Sequence, residues 1–146
     1  MRRIFWAVLF VVMLLTALPS YAQSPNYDVG PVWRVTYYHI KPGQGDPFWK
    51  DIRENLKPIY ADFKKEGLIS DYKVWTNVTT DHPGDWDVAV GLMVANYAAI
   101  DQIDAKAATS VAKHYGSRDA MLEAARKRNE LREVVASKLA REVMPK

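Results

Sequence analysis

The stretch "LREVVASKLAREVM", residues 131–144, decides the fold. Laid on a helix, Leu131, Val134, Val135, Leu139 and Val143 fall on one stripe. Laid on a strand, Leu131, Val135, Leu139 and Val143 share one parity, with polar residues between them. Periodicity alone favours the helix. As a strand, the same residues would complete a sheet that the rest of the chain leaves one strand short.

Working back from this tail, Ser117 is placed to cap a helix from Arg118 to about Glu130, with Glu123 and Lys127 as a supporting pair four residues apart. Asn96 caps an earlier helix that contains Ile100 and Ile103 and continues weakly through "AKAATSVAKHY" to Gly116. Before it, Trp86–Ala95 reads as a strand, joined through the turn-rich "TTDHPGDW" to a β-like run over Leu68–Val78. Phe48, Ile52, Leu56, Ile59 and Phe63 recur at helical spacing after an Asp46-Pro47 start, and Gly67 ends that helix. Pro58 lies inside it and is expected to kink it, because proline lacks the amide that would bond Glu54. The first strand is Val32–Lys41, "VWRVTYYHIK".

The order β-α-β-β-α-(α)-β is that of a ferredoxin-like split βαβ unit: an α+β protein with a four-stranded antiparallel sheet and helices on one face. "HIKPGQGDPFWKDIRENLKPIYADFKKEG" followed by "DWDVAVGLMVANYAAID" resembles the dimeric α/β-barrel superfamily, which includes antibiotic-biosynthesis monooxygenase-like, stress-responsive barrel and NIPSNAP-like domains. The features carrying the resemblance are a first strand ending in Lys-Pro-Gly, a long helix closed by Lys-x-x-Gly, and a Trp-Asp third strand leading to an Ala-Ala helix. They cover about residues 32–104. The resemblance implies that residues 131–144 form the fourth strand, against their periodicity, and that the chain is a homodimer joined through its open sheet face.

The chain starts with Arg2 and Arg3, an apolar run over Ile4–Leu18, and small residues ahead of Gln23. This is the pattern of a cleaved signal peptide over residues 1–22, and the product is expected to be exported, periplasmic or secreted. Residues 23–31 read as a flexible tether and 32–146 as a single domain. Cleavage takes two of the 20 basic residues, leaving 18 against 17 acidic ones, so the charge carries no nucleic-acid footprint. No later segment is apolar enough to span a membrane. With no cysteine there is no disulfide framework, and the 49% hydrophobic residues must supply the core.

Candidate chemistry is sparse. "GQGDP" lacks the third glycine of a dinucleotide fingerprint and the Gly-Lys-Ser/Thr ending of a phosphate loop, so its glycines serve a tight strand-to-helix turn. His39, His82 and His114 show no local ligand spacing, and neither a metal nor another cofactor is expected. His39 ends a strand, where an imidazole can act as acid, base or axial haem ligand, or simply as a polar strand end. In the third strand Val88, Val90 and Leu92 share one side and Ala89, Gly91 and Met93 the other. The bulky set is expected under the helices, and Gly91 and Met93 beside open space. In the first strand Arg34 and Tyr38 are expected on that same open side. Arg128 falls on an apolar stripe, where it would meet a ligand carboxylate or lay its stem on apolar surface with its head in water. The resulting expectation is a binding module for a small, largely apolar molecule, with Arg34, Tyr38, His39, Gly91, Met93 and Arg128 as candidate contacts. The alternatives are a cofactor-independent monooxygenase-like or haem-handling enzyme, and a structural dimer without ligand.

Overall fold

The computed structural model describes residues 26–79 and 81–146. The expected signal peptide and the start of the tether lie outside the described residues. The described residues divide into two units, Val29–Met144 and a second that holds residues 26–28 with Pro145–Lys146. In the second, the Lys146 amide donates to the Asn26 carbonyl at 3.0 Å, and the Lys146 ammonium pairs with Asp28 at 3.1 Å.

Four strands form one open antiparallel sheet in the order β2-β3-β1-β4: β1 (Tyr27–Ile40), β2 (Asp71–Thr76), β3 (Val88–Val94) and β4 (Arg132–Pro145). The tail is therefore a strand. The Lys41 amide donates to the Leu131 carbonyl at one end of the β1–β4 pair, and Gly30 lies against Glu142 near the other. Backbone hydrogen bonding of the 14-residue β4 to β1 outweighs the helical stripe. β1 also begins earlier than expected. Residues 27–31, read as tether, are strand, and at Gly30 a Cβ would meet the Glu142 Cβ at 3.0 Å, so the missing side chain lets β4 approach.

The helices are α1 (Gly45–Asp51), α2 (Lys57–Lys65), α3 (Ala98–Tyr115) and α4 (Arg118–Leu131). Gly43, at φ 75°, turns β1 into α1, which starts after Gln44 rather than at Asp46. Asn96 and Ser117 cap as expected, their side-chain oxygens each accepting an amide at 3.1 Å, from Ala99 and Ala120. Between α1 and α2, Ile52–Leu56 forms a π-helical turn in which the Lys57 amide reaches back to the Ile52 carbonyl. Pro58 follows at once. A wider turn relieves the crowding that a proline ring makes with the carbonyl four residues back, so the helix departs from regular α geometry just ahead of Pro58.

All five apolar residues of that helix are buried, and they divide between two clusters. Ile59 and Phe63 pack with Val32, Leu92, Val94 and Ile103, while Phe48, Ile52 and Leu56 pack with Tyr38, Val88 and Val90. Tyr60 touches both clusters. Every sheet residue in them lies on one face, because Val32 stands opposite Val94, and Tyr38 opposite Val88.

The other face carries Trp33, Val35 and Tyr37 of β1 against Met93, Gly91 and Ala89 of β3, with Lys73 and Trp75 of β2 opposite Gly91 and Ala89. Gly91 does not border empty space. A Cβ there would lie 2.7 Å from the Trp75 ring and 3.0 Å from that of Trp33. These two indoles meet edge-on at 5.8 Å above it. Gly91→Ala is therefore expected to push Trp75 outward and destabilise by about 1 kcal/mol, at the low end for overpacking. In a Trp75→Ala background the same change should cost almost nothing. Urea unfolding of the four proteins reads this coupling, and equal costs in both backgrounds would contradict it.

Candidate functional site

The helix-facing side of β1 reads Val32, Arg34, Thr36, Tyr38, Ile40. Two polar residues stand in the middle of an otherwise apolar row on a central strand. Burying them dry would cost a desolvation penalty for each. The core instead divides around them, and a half-open cavity of about 310 Å³ lies between sheet and helices, lined by Arg34, Thr36, Tyr38, Tyr60, Val90, Leu92 and Ser137. Among the described residues four hydroxyls and one guanidinium converge there and no carboxylate lines the space, while Val90, Leu92 and the two tyrosine rings supply flat apolar wall.

Arg34 sits at the rim. Its Nη1 pairs with Asp104 of α3 at 2.7 Å, and Asp104 is 62% exposed. Behind the wall, Arg132 lays its guanidinium over the Tyr38 ring at 3.9 Å. Arg128 donates to the Tyr115 hydroxyl at 2.7 Å and stands 4.0 Å from Asp51, with only 14% of its side chain exposed. Its head is thus turned inward, not into water. Asp51 in turn accepts from Asn55 at 2.9 Å, and the other end of the Asn55 amide lies 3.3 Å from His114. Among the described residues Asp51 Oδ2 and Arg132 Nη1, both buried, have no hydrogen-bond partner.

Burial pushes the Tyr60 phenol well above the usual range, with the neighbouring Tyr38 acting in the same direction; Arg132, Arg128 and Arg34 pull it back without offsetting the burial. Tyr60 is consequently a neutral hydrogen-bond donor at any physiological pH. A folded value raised above the unfolded one means a contribution to stability that is full below about pH 10 and is lost as pH rises beyond it. Tyr60→Phe should remove that part of the alkaline loss of stability, and in an absorbance titration of tyrosinate the parent should keep one phenol un-ionised after the exposed ones have titrated. A Tyr60 that ionises with the others would contradict this burial.

The six candidate contacts divide between the two faces. Arg34 and Tyr38 line a cavity, but on the helix side, with Val90 and Leu92 rather than with Gly91 and Met93. The reason is register: Arg34 stands opposite Leu92, and Tyr38 opposite Val88, and directly paired residues share a face. Arg128 backs the same cavity. Gly91, Met93 and His39 belong to the open face. His39 Nδ1 lies 3.0 Å from Asp87 Oδ2 and 3.1 Å from the Asp85 carbonyl, so a proton on Nδ1 has two acceptors within reach. Asp85 is itself fixed, its carboxyl held below the usual range chiefly by the Trp86 amide.

Tyr60, Thr36, Ser137, Asp51 and Arg132 were not among the candidates. Asp51 and Asn55 had a legible signal, a polar pair four residues apart flanking the apolar stripe. Tyr60 had one as well, since it follows Leu56 by four residues and precedes Phe63 by three, on the apolar stripe. The open face holds a larger groove of about 450 Å³, walled by Trp33, Val35, Tyr37, Trp75, Trp86 and Ala89, but it is shallow and lies on the outer surface of the sheet. Among the described residues no group of three or more histidines, cysteines or carboxylates could hold a metal ion, and no helix is long and apolar enough to cross a membrane. Neither the protein-family models nor the curated proteins include a match to this chain.

Proposed function

We propose that this protein is an exported, homodimeric binding module for a small molecule, held between sheet and helices by the residues around Thr36, Tyr38 and Tyr60. The observation that carries this reading is the interrupted row on β1. A core built only for stability would continue Val32 and Tyr38 with apolar residues at positions 34 and 36. A cavity of about 310 Å³ is at the small end of ligand sites, and its walls suit a flat, largely apolar body bearing oxygen atoms for the hydroxyls. The strand order and one-sided helices support the dimeric α/β-barrel resemblance. The open face, with Trp75 39% exposed over a tryptophan-rich groove, supports a second copy as its cover.

A second reading, cofactor-independent monooxygenase-like chemistry in the same cavity, is favoured by the neutral Tyr60 phenol among three guanidiniums. His39 belongs to neither, since it shares the open face with Trp33, Val35 and Tyr37. A haem there would give a Soret band that His39→Ala abolishes.

Native mass spectrometry of the protein from its own host should show a dimer that retains a small molecule in each subunit. Thr36→Val should raise stability by about 0.5–2 kcal/mol while weakening ligand retention, the trade expected where a polar residue serves binding. Trp75→Glu should yield folded monomers. A dilution-resistant monomer in the parent would contradict the dimer, and a Thr36→Val protein that retains its ligand unchanged would contradict the site.

A further inference from the structure

Resting on that reading of the cavity, we propose that its ligand carries a carboxylate, which Arg34 receives in exchange for Asp104. Among the described residues Arg34 is the one charged side chain in the cavity lining. Its guanidinium offers donors in a rigid fork that matches a carboxylate two bonds at a time. Among the described residues its one side-chain acceptor is Asp104 Oδ1, which its Nη1 meets at 2.7 Å. Asp104 comes from α3, across the gap between helices and sheet, and is mostly in water, whereas Arg34 is 25% exposed.

The charges around the space agree. Arg34, Arg128 and Arg132 stand against Asp51 and Asp104, three positive groups to two negative. A carboxylate that enters while Asp104 swings into solvent keeps Arg34 paired, and leaves Asp104 hydrated. The hydroxyls of Thr36, Tyr38, Tyr60 and Ser137 can then donate to the same anion or to further oxygens of the ligand. A neutral amide of the same shape gains none of the charge-assisted bonding and would bring its NH2 group against a cation. Asp104 thus acts as an internal competitor at the mouth of the site. Because that contact is exposed, removing it should leave the fold intact.

The test is calorimetric titration of the full mature chain with benzoate, salicylate and phenylacetate, each beside its primary amide. At least one acid should bind tenfold or more tightly than its amide. Asp104→Asn should tighten that acid several-fold and leave the amide unchanged, a gain that a merely structural ion pair would not produce. Arg34→Gln should abolish the preference for the acid. Arg34→Lys should restore part of it, which separates loss of charge from loss of fold. Amides that bind as well as acids, or an Asp104→Asn protein with unchanged or weaker acid binding, would overturn the carboxylate assignment while leaving the cavity as a binding site. If no acid and no amide binds, both the assignment and the cavity reading fall.

Discussion

Two polar side chains in the middle of a central strand govern how this molecule is built. Arg34 and Thr36 occupy helix-facing positions of β1, where Val32 and Tyr38 on either side are buried. Helices laid over that row cannot close on it without stripping water from a guanidinium and a hydroxyl. They pack instead at the two ends, around Val32 with Val94 and around Tyr38 with Val88, and Tyr60 spans the seam. The cavity is what that compromise leaves, and its lining is polar because the residues that forced it are polar.

The opposite face answers to a different demand. Small residues on β3 admit indoles from both neighbouring strands, and Gly91 is the point at which Trp33 and Trp75 converge. A sheet covered on one side only must do something with such a surface. Trp33 is largely shielded by its neighbours and by a hydrogen bond from its Nε1 to Glu142, while Trp75 remains partly in water. The edge strand β4 leaves Val134, Val135, Leu139 and Val143 exposed, and Val135 adjoins Tyr37 and Trp86 of the open face.

Much of the fold was legible in the sequence because its signals are local. Caps at Asn96 and Ser117, the glycine at 116 and the stripe from Phe48 to Phe63 each depend on residues within a turn or two. The tail was not legible from periodicity, since Val135 and Leu139 fit a helix as readily as a strand and only pairing with β1 decides between them. Alternation does not hold along β4 in any case: Arg132 stacks on Tyr38 on the helix side, whereas Glu142, of the same parity, meets Trp33 on the open side. The site was half legible. Arg34 and Tyr38 stood out as polar members of a strand, but their face follows from the register with β3, which no single-strand pattern contains. Asp51, Tyr60 and Arg132 come together only through tertiary packing across a π turn.

The central claim is that binding occurs under the helices and not on the open face. Methyl-resolved NMR of the protein, titrated with salicylate, separates the two directly. Val90 and Leu92 report on the cavity, and Val35 and Ala89 on the outer groove. Saturable shifts at Val90 and Leu92, with Val35 and Ala89 unmoved, are the predicted result. Shifts confined to Val35 and Ala89 would place the ligand on the tryptophan-lined face and contradict the account.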